Sequence, residues 1–326
     1  MIRENREKIQ YSAAITSLIT NTILIFLIAY KSPKKMGSYR FLLIYVSIFE
    51  IIYAFVDILA SPITHTYGPT FLVIVRYKNS LLNRQMALIF NSLYCAFFGS
   101  SMGLFVIIFV YRYLASTGNQ ILETFKSWRI IYWFAFPIVY GIIYGLIAYF
   151  PFSPNDGTDE FIRLRLLEKF NLKLENIVYT GPLYFSKGTN DTLNVNYFAV
   201  SLTVLQWIMT FSSLFMVGFF GFKCYFSVDK FMNDKCKSSK RSTGLQKQLF
   251  LALVVQTMIP VFLMHIPVLV LYTCSLLNVE MDTSFVCVTI ALFPAIDPFP
   301  TMFIIRSYRK AIFQILQKAS RFSGQS

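Results

Sequence analysis

The sequence predicts an all-α membrane protein: a bundle of seven transmembrane helices, with the N-terminus outside the cell and the C-terminus inside. Two observations lead to this fold class. The chain has seven apolar segments of about 20 residues or more, and its Lys and Arg residues collect in alternate gaps between them. A helix rises about 1.5 Å per residue, so about 20 apolar residues cross the ~30 Å hydrocarbon core of a bilayer. The predicted spans are residues 9–30, 41–63, 86–110, 130–150, 197–222, 249–275 and 284–305.

The orientation of the bundle follows from the basic residues. Of 30 Lys and Arg residues, 19 lie in the first, third and fifth gaps and the C-terminal tail, and 11 lie at the N-terminus and in the other gaps. Short loops rich in Lys and Arg stay in the cytoplasm, which puts the tail inside. Because these residues sit at the ends of spans, we expect membrane lipid, and no nucleic acid, to be their partner.

Composition excludes a soluble globular chain, since 56% of the residues are hydrophobic and the mean hydropathy is +0.55. The spans fill about half of the 326 residues, so we interpret residues 1–326 as one seven-transmembrane domain. Residues 306–322 keep a helical period after the last span. Their basic and apolar faces predict a short amphipathic helix on the inner membrane surface. Its apolar face holds Tyr308, Ile312, Ile315, Ala319 and Phe322.

The long fourth gap, residues 151–196, is predicted to lie outside. Residues 161–170 have an amphipathic pattern and are expected to form a lid over the mouth of the bundle. Asn190 belongs to an Asn-Asp-Thr sequon and is the predicted glycosylation site. Cys274 and Cys287 flank the last outer loop, and two alternatives stay open for them: a disulfide, or two isolated buried thiols.

No catalytic constellation is evident in the sequence. The two histidines, His65 and His265, have no companion at metal-ligand spacing, and the chain has neither a Gly-rich phosphate loop nor a nucleophile elbow. We therefore predict that the protein is not an enzyme and that it uses no cofactor and no metal.

Three polar residues lie at matched depth in different spans. Asn21, Glu50 and Asp297 are each eight or nine residues from the inner end of their span, about 12–15 Å into the bilayer. A carboxylate near the midplane costs several kcal/mol unless it is paired, hydrated or protonated, so such side chains face the interior. The favoured interpretation is one hydrated cluster where spans one, two and seven meet. The alternative is a protonated carboxyl group that only hydrogen-bonds across helices.

Two further features concern movement. Prolines interrupt spans six and seven, among them Pro298, and make these helices candidates either for rigid-body motion or for static bends. Arg112, at the inner end of span three, either extends its charge to the membrane interface or forms a latch that is released when the inner face opens.

Seven spans with an outer N-terminus, Arg112 below span three and Pro-kinked spans six and seven together resemble a G-protein-coupled receptor. Residues 294–309, which read PAIDPFPTMFIIRSYR, resemble the closing signature of nematode serpentine chemoreceptors of class r, the Str group. Residues 111–115 are similar to the end of that family's third span. In contrast to the broader rhodopsin-like pattern, Tyr111 stands where an acidic residue usually precedes the arginine.

The resemblance implies a chemosensory receptor in the plasma membrane of sensory cilia, which binds a small-molecule odorant and couples to a heterotrimeric G protein. We expect the ligand between the outer halves of spans three, five, six and seven, in an aromatic cavity with few hydrogen-bonding groups. The ligand-binding candidates are Asn91, Tyr94, Phe98, Tyr197, Ser201, His265, Tyr272 and Phe285. The candidates for activation and G-protein coupling are Arg112, Asn21, Glu50, Asp297 and Pro298.

Alternatives to this interpretation are a ligand-gated channel and a transporter of small solutes. The channel of the insect odorant-receptor kind would have its N-terminus inside, contrary to the charge distribution. A transporter usually has paired repeats, and seven spans do not divide into them. Association into homo- or hetero-oligomers is left open.

Overall fold

The computed structural model describes residues 2–33, 36–78, 80–170, 173–187, 193–233 and 240–323. Within these ranges it has seven helical segments long and apolar enough to cross a bilayer, as the sequence predicted. The helices are α1 (Ile2–Lys31), α2 (Tyr39–Ala60), α3 (Arg84–Thr117), α4 (Ile130–Tyr149), α5 (Asp156–Phe170), α6 (Tyr197–Asn233), α7 (Lys240–Pro260), α8 (Ile266–Leu276), α9 (Phe285–Ile296), α10 (Pro298–Ile304) and α11 (Arg306–Ser323). The strands are β1 (Ile63–Thr66), β2 (Phe71–Arg76), β3 (Ile177–Thr180), β4 (Phe185–Lys187) and β5 (Leu193–Val195).

Five of the spans are single helices and two are broken. Helices α1 to α4 and α6 carry the first five spans, the sixth is α7 continued through a π-helical turn into α8, and the seventh is α9 followed by α10. Following the charge distribution, we call the end of the bundle that carries the strands the outer end.

Helix α3 lies at the centre and packs against α2, α4 and α6. It begins after Asn83, whose Oδ1 accepts a hydrogen bond from the backbone N of Met86 at 2.8 Å, a standard N-cap. It ends at Gly118, where φ is +65° and glycine avoids a steric penalty. The helix is longer than predicted because it continues on both sides of the apolar stretch.

Small residues bring the backbones of α3 and α4 close together. A Cβ atom on Gly141 would lie 2.0 Å from Ser100 Oγ, and one on Gly99 would lie 2.6 Å from the Tyr144 ring. A Cβ on Gly103 would lie 2.9 Å from the Pro137 backbone. Lipid is as apolar as the helices, so no hydrophobic effect drives the helices together. Close approach of backbones at small residues is therefore the usual basis of helix packing in a bilayer.

An antiparallel sheet in the order β1-β2-β3 covers the outer end, a feature that the sequence analysis did not predict. The second span was predicted to reach residue 63, but α2 ends at Ala60 and Ser61 takes a left-handed conformation with φ 40°. Pro62 follows and has no N–H with which to continue a helix. The chain then enters β1, so residues at the end of the predicted span belong to the sheet instead. We call β1, β2 and β3 the roof.

The roof has apolar contacts on its outward side and a polar anchor on its inward side. Ile162 and Leu166 of α5 are buried against Ile74 and Tyr179. Helix α5, which contains the residues of the predicted lid, therefore covers the roof. On the inward side Asn91 of α3 donates from Nδ2 to the carbonyl oxygen of Val73 at 2.8 Å and to Thr180 Oγ1 at 3.2 Å. The roof is thus fixed to the central helix.

The seventh span breaks at Asp297, between α9 and α10. Pro298 has no N–H, so the carbonyl oxygen of Pro294, four residues earlier, loses its helical donor. Asn21 of α1 replaces that donor, because its Nδ2 lies 3.0 Å from the Pro294 oxygen. A neighbouring helix therefore satisfies the broken backbone, as the absence of water in hydrocarbon requires.

The sixth span contains a π-helical turn, Val261–His265, between Pro260 and Pro267. The N–H of Ile266 bonds to the oxygen of Val261, five residues back. His265 Nδ1 lies 2.9 Å from the Pro260 carbonyl oxygen, which accepts only, so Nδ1 carries the proton. π-Helical turns bend helices and often occur at functional sites.

Helix α11 follows the seventh span at the inner end. Tyr308 is buried and its hydroxyl lies 2.6 Å from Ser32 Oγ, just after α1. Ile312 is half-buried, whereas Ile315, one turn farther along, is exposed. The side chains of Ala319 and Phe322 lie outside the described residues.

Two predictions about modification have different outcomes. Cys274 and Cys287 are both free thiols, so the disulfide alternative is wrong for this structure. The candidate for glycosylation, Asn190, lies outside the described residues.

Substitution of Gly181 tests how closely β2 and β3 pack in the roof. A Cβ on this residue would lie 1.9 Å from the backbone oxygen of Phe71, so Gly181→Ala forces β2 and β3 apart at a cost of about 2 kcal/mol. We expect the Tm of the purified protein in detergent to fall by several degrees. Gly218→Ala is the control, since nothing lies within 4 Å of its Cβ and the helix gains up to about 1 kcal/mol. Equal Tm values for the two variants would contradict this packing.

The role of Asn21 is tested by a double-mutant cycle with Pro298. Asn21→Leu leaves the Pro294 oxygen without a donor and should lower the free energy of unfolding by about 1–3 kcal/mol. Pro298→Ala restores an N–H at that position, so the same Asn21→Leu change should cost less in its background. Thr16→Val, on an exposed face of α1, should have little effect. The assay is thermal or denaturant unfolding in detergent. Additive effects of Asn21→Leu and Pro298→Ala would rule out the replacement of the donor.

Candidate functional site

A cavity lies below the roof, between α3, α4, α6, α8 and α9. Its volume is about 50 Å³, which is enough for roughly three or four water molecules. Aromatic and aliphatic side chains form most of its wall. The lining residues are Thr64, Phe71, Val73, Tyr94, Cys95, Phe98, Tyr144, Ala148, Phe152, Thr180, Gly181, Gln206, Val268, Leu271, Tyr272, Val286 and Ile290.

Few polar atoms face this cavity, and none of the lining side chains is charged. The hydroxyl of Tyr94 is buried against the Cys287 thiol, a weak hydrogen-bonding group. The Oε1 atom of Gln206 is buried without a hydrogen-bond partner among the described residues. The hydroxyl of Tyr144 is satisfied, since it donates to the carbonyl oxygen of Gln206 at 2.9 Å. The surface of the cavity is therefore almost entirely apolar, and the oxygen atoms of its polar side chains Tyr94 and Gln206 are buried in the wall.

Three of the eight predicted ligand-binding residues line the cavity: Tyr94, Phe98 and Tyr272. Asn91 and His265 are buried nearby, but their side chains make structural hydrogen bonds and do not line the cavity. Asn91 anchors the roof and His265 bonds to the Pro260 carbonyl oxygen.

Three predicted residues do not lie in this cavity. Tyr197 is 77% exposed, Phe285 is 44% exposed, and Ser201 is exposed with its hydroxyl bonded to Phe198 O. Each is on the outward face of its helix. On α6 the inward position belongs to Gln206, and on α9 it belongs to Val286, next to Phe285.

The sequence analysis missed several lining residues. Phe71, Val73 and Thr180 come from the roof. The run Phe71–Arg76, rich in Val and Ile between turn residues, is a strand signal that could have identified the first two. Gln206 is a polar residue within a span, the same signal that identified Asn21.

The roof of the cavity is joined to the start of the seventh span. Thr64 donates to the carbonyl oxygen of Thr283 at 2.5 Å, and Thr66 Oγ1 donates to Met281 O at 2.8 Å. Asp282 Oδ1 lies 3.6 Å from Nδ1 of His65. Burial acts to raise the pKa of Asp282, but hydrogen bonds from Ser284 and the adjacent His65 outweigh it, so the pKa is lowered. The carboxylate form that holds this junction is favoured.

The roof is also joined to the lid helix α5. Burial raises the pKa of Tyr179 well above its usual value, so the phenol keeps its proton. Its hydroxyl donates a hydrogen bond to Asp159 Oδ1 at 2.6 Å. The outer wall of the cavity is therefore a connected unit of sheet and helix.

A polar cluster lies deeper in the bundle, where α1, α2, α7 and the break in span seven meet. Asn21, Glu50 and Asp297 are all buried, and Glu50 is in direct electrostatic contact with Asp297 and Asn21. Two carboxylates are both acceptors, so this pair can hydrogen-bond only when one of them carries a proton. The three predicted residues are thus brought together in the interior.

Gln256 of α7 is the fourth member of this cluster, and the sequence analysis missed it. Its Nε2 donates to Asp297 Oδ2 at 3.0 Å and to the Asp297 carbonyl oxygen at 3.2 Å. This contact joins span six to span seven at the residue before Pro298. Gln256 is another polar residue within a span, so the depth argument used for Asn21 applies to it too.

Arg112 is buried at the inner end of α3 and stacks on an aromatic ring. Its guanidinium carbon lies 4.5 Å from the centre of the Tyr39 ring at the start of α2. Tyr39 in turn stacks on Tyr111, with ring centres 5.4 Å apart. Within the described ranges no ion pair of Arg112 with an acidic residue is found. The contact that holds Arg112 is a cation–π interaction with α2.

Comparison with known proteins agrees with this architecture. The fold is similar to squid rhodopsin, with a TM-score of 0.64 and 12% identity, over 98% of this chain and 86% of that one. "G-protein coupled receptor str-217" of Caenorhabditis elegans is 45% identical over 304 residues, which cover 93% of this chain and 88% of the relative. "Serpentine receptor class r-10" of the same organism is 29% identical, over 87% of this chain and 83% of the relative.

The family described as "Serpentine type 7TM GPCR chemoreceptor Str" matches residues 6–313. That match extends from α1 into α11 and includes both the cavity and the inner polar cluster. The chain therefore belongs to the Str family of seven-transmembrane serpentine chemoreceptors, which are G-protein-coupled receptors.

Proposed function

We propose that this receptor detects a small, uncharged, weakly polar molecule that binds in the cavity below the roof. The observation that carries the proposal is the cavity itself, which is lined mainly by aromatic and aliphatic side chains and is free of charged side chains. A volume of about 50 Å³ limits the ligand to a few non-hydrogen atoms, or requires the wall to yield around a larger one. When the wall yields, the buried Tyr94 hydroxyl and Gln206 oxygen become a donor and an acceptor for it.

The positions of α8 and α9 support a route from the cavity to the inner face. Both helices line the cavity, and below it the π-helical turn and the break at Asp297 interrupt them. The contact of Gln256 with Asp297 joins the two spans, on the inner side of the π-helical turn and at the break of the seventh span. A ligand that contacts α8 and α9 better in one arrangement shifts the population toward that arrangement.

At the inner face the receptor activates a heterotrimeric G protein. Asn21, Glu50, Asp297 and Pro298 form the hinge of the seventh span in this proposal, and Arg112 is the latch between α3 and α2. The basic inner surface supports a docking role but also suits anionic lipid. The names of the family and of its C. elegans relative, chemoreceptor and G-protein coupled receptor, favour this function over a channel or a transporter.

The proposed location is the plasma membrane of a chemosensory cilium. Seven apolar spans support a multi-pass membrane protein, and the chemoreceptor family supports a sensory cell. Glycosylation at Asn190 in the outer loop belongs to the same proposal.

Tyr94→Phe tests the cavity, after an active odorant has been identified by calcium imaging of expressing cells. The variant removes a hydroxyl that contacts only the weakly hydrogen-bonding Cys287 thiol, so folding is preserved while the ligand loses one hydrogen bond. We expect the EC50 of an odorant with an acceptor group to rise about fivefold. Tyr197→Phe is the matched control and should leave the EC50 unchanged, because Tyr197 faces outward.

An unchanged EC50 in Tyr94→Phe, or a larger effect of Tyr197→Phe, would contradict this site. Coupling is tested separately in cells without any G-protein α subunit. Responses that persist in those cells would contradict signalling through a G protein while leaving the site intact.

Tyr39→Leu tests the latch. It removes the ring below the Arg112 guanidinium, and with it an interaction of about 0.5–2 kcal/mol. We expect basal signalling without ligand to rise severalfold, at equal surface expression. Tyr39→Phe keeps the ring and should resemble the native receptor. A fall in basal signalling in Tyr39→Leu, or the same rise in both variants, would show that the ring does not hold the resting state.

A further inference from the structure

A histidine lies at the junction between the roof and the start of the seventh span. His65 belongs to β1 and is 0% exposed, and its Nδ1 atom lies 3.6 Å from Oδ1 of Asp282 in the last outer loop. This distance is too long for a hydrogen bond, but it is short enough for an ion pair when the ring is protonated. The strength of this contact therefore depends on pH.

The hydrogen bonds of the junction are made by neutral groups. Thr64 Oγ1 donates to the carbonyl oxygen of Thr283. Thr66 Oγ1 donates to the carbonyl oxygen of Met281 and accepts a hydrogen bond from Met281 N at 3.0 Å. These bonds are the same at pH 5 and at pH 8, because none of the groups that make them titrates in that range. The histidine contact adds a titratable pair to them.

Histidine is the side chain whose charge ordinarily changes between pH 5 and 8, and the chain contains two. His265 lies inside the sixth span with its Nδ1 on a backbone carbonyl oxygen, so His65 is the histidine at the outer end. Asp282 keeps its negative charge over this range. Although burial acts to raise the pKa of Asp282, the hydrogen bonds from Ser284 outweigh burial, so the pKa is lowered. Acidification thus changes the charge of one partner only.

Other charged groups near the ring come from two elements. The His65 ring packs edge-on against Tyr67, with ring centres 4.4 Å apart. Tyr67 is in electrostatic contact with Glu280 and Asp282 of the outer loop and with Arg165 of α5. Glu280 and Arg165 are both exposed, so water screens their opposite charges. Because the ring is buried from water, Asp282 is the group that balances its positive charge.

From this arrangement we propose that His65 and Asp282 form a clasp between the roof and the seventh span, and that acid strengthens it. Protonation of the ring converts the contact into an ion pair, and protonation that accompanies a contact stabilises the state that makes the contact. The stabilisation is present at acidic pH and is lost as the pH rises through the titration of the ring.

The effect of the clasp on the ligand rests on the proposed function of the cavity. Thr64 belongs to the same strand as His65 and lines the cavity. A roof that is held more firmly on the seventh span keeps the cavity closed for longer. Acidification of the outer solution therefore slows the release of a bound ligand.

Thermal unfolding of the full-length receptor in detergent tests the clasp without any ligand. His65→Gln cannot become charged, and Asp282→Asn keeps the acceptor for Ser284 while it removes the charge. We expect each variant to lose about 2 °C more in Tm at pH 5.5 than at pH 7.5. In the double variant this excess should be no larger than in either single one. Asp156→Asn is the matched control, since it removes an exposed outer carboxylate at the start of α5, and it should show no such excess.

Washout of an active alcohol or ketone, which has no group that ionises in this range, tests the effect on the ligand. The response of the native receptor should decay about threefold more slowly at an external pH of 5.5 than at 7.5, and His65→Gln should abolish this difference. Losses of Tm that do not depend on pH, or the same pH dependence of the decay in the native receptor and in His65→Gln, would overturn the proposal. Because the unfolding measurement needs no ligand, failure of the clasp is distinguishable from failure of the proposed cavity.

Discussion

Backbone hydrogen bonding inside the bilayer is the constraint on which the rest of this structure depends. Hydrocarbon supplies no donor or acceptor, so each helix break within a span needs a replacement from a neighbouring side chain. Asn21 supplies it for the Pro294 oxygen. In the sixth span the π-helical turn keeps the backbone bonded, with Ile266 N–H on Val261 O, and the His265 ring adds a contact to the Pro260 oxygen. These two interruptions of the regular α-helix lie directly below the cavity. On the proposed mechanism, the residues that stabilise the bundle are also the residues around which spans six and seven bend.

The same constraint explains which parts of the site the sequence could predict. Asn21, Glu50 and Asp297 are polar residues in apolar spans, so they must face the interior, and they do. Aromatic residues carry no such information, since lipid is as apolar as the protein core. With 34 Phe and 20 Tyr in the chain, composition does not fix the rotation of a helix. Tyr197 and Phe285 were assigned to the interior for this reason and face outward instead.

Local sequence can indicate strand β2 of the roof, through the run Phe71–Arg76, but not the sheet as a whole. Val73 of β2 pairs with Thr180 of β3, more than 100 residues away, and no local pattern encodes a pairing of that range. The roof bears directly on the proposed function. The roof lines the cavity and is bonded to the start of span seven through Thr64 and Thr283. On the proposed mechanism, a ligand under the roof acts on the seventh span from above and from the side at once.

On the proposed mechanism, the energy of the Arg112 latch is matched to the size of the ligand. Removing one partner of a buried ion pair costs about 3–5 kcal/mol, whereas a cation–π contact such as that of Arg112 with Tyr39 contributes about 0.5–2 kcal/mol. A ligand with only a few non-hydrogen atoms gains at most about 1.5 kcal/mol per atom, and only the part that differs between the two states shifts their populations. If a buried ion pair held the resting state, breaking it would cost most of the binding free energy by which the ligand favours the active state. A receptor with a small cavity therefore needs a weak latch, and the replacement of an acidic residue by Tyr111 next to Arg112 is consistent with that requirement.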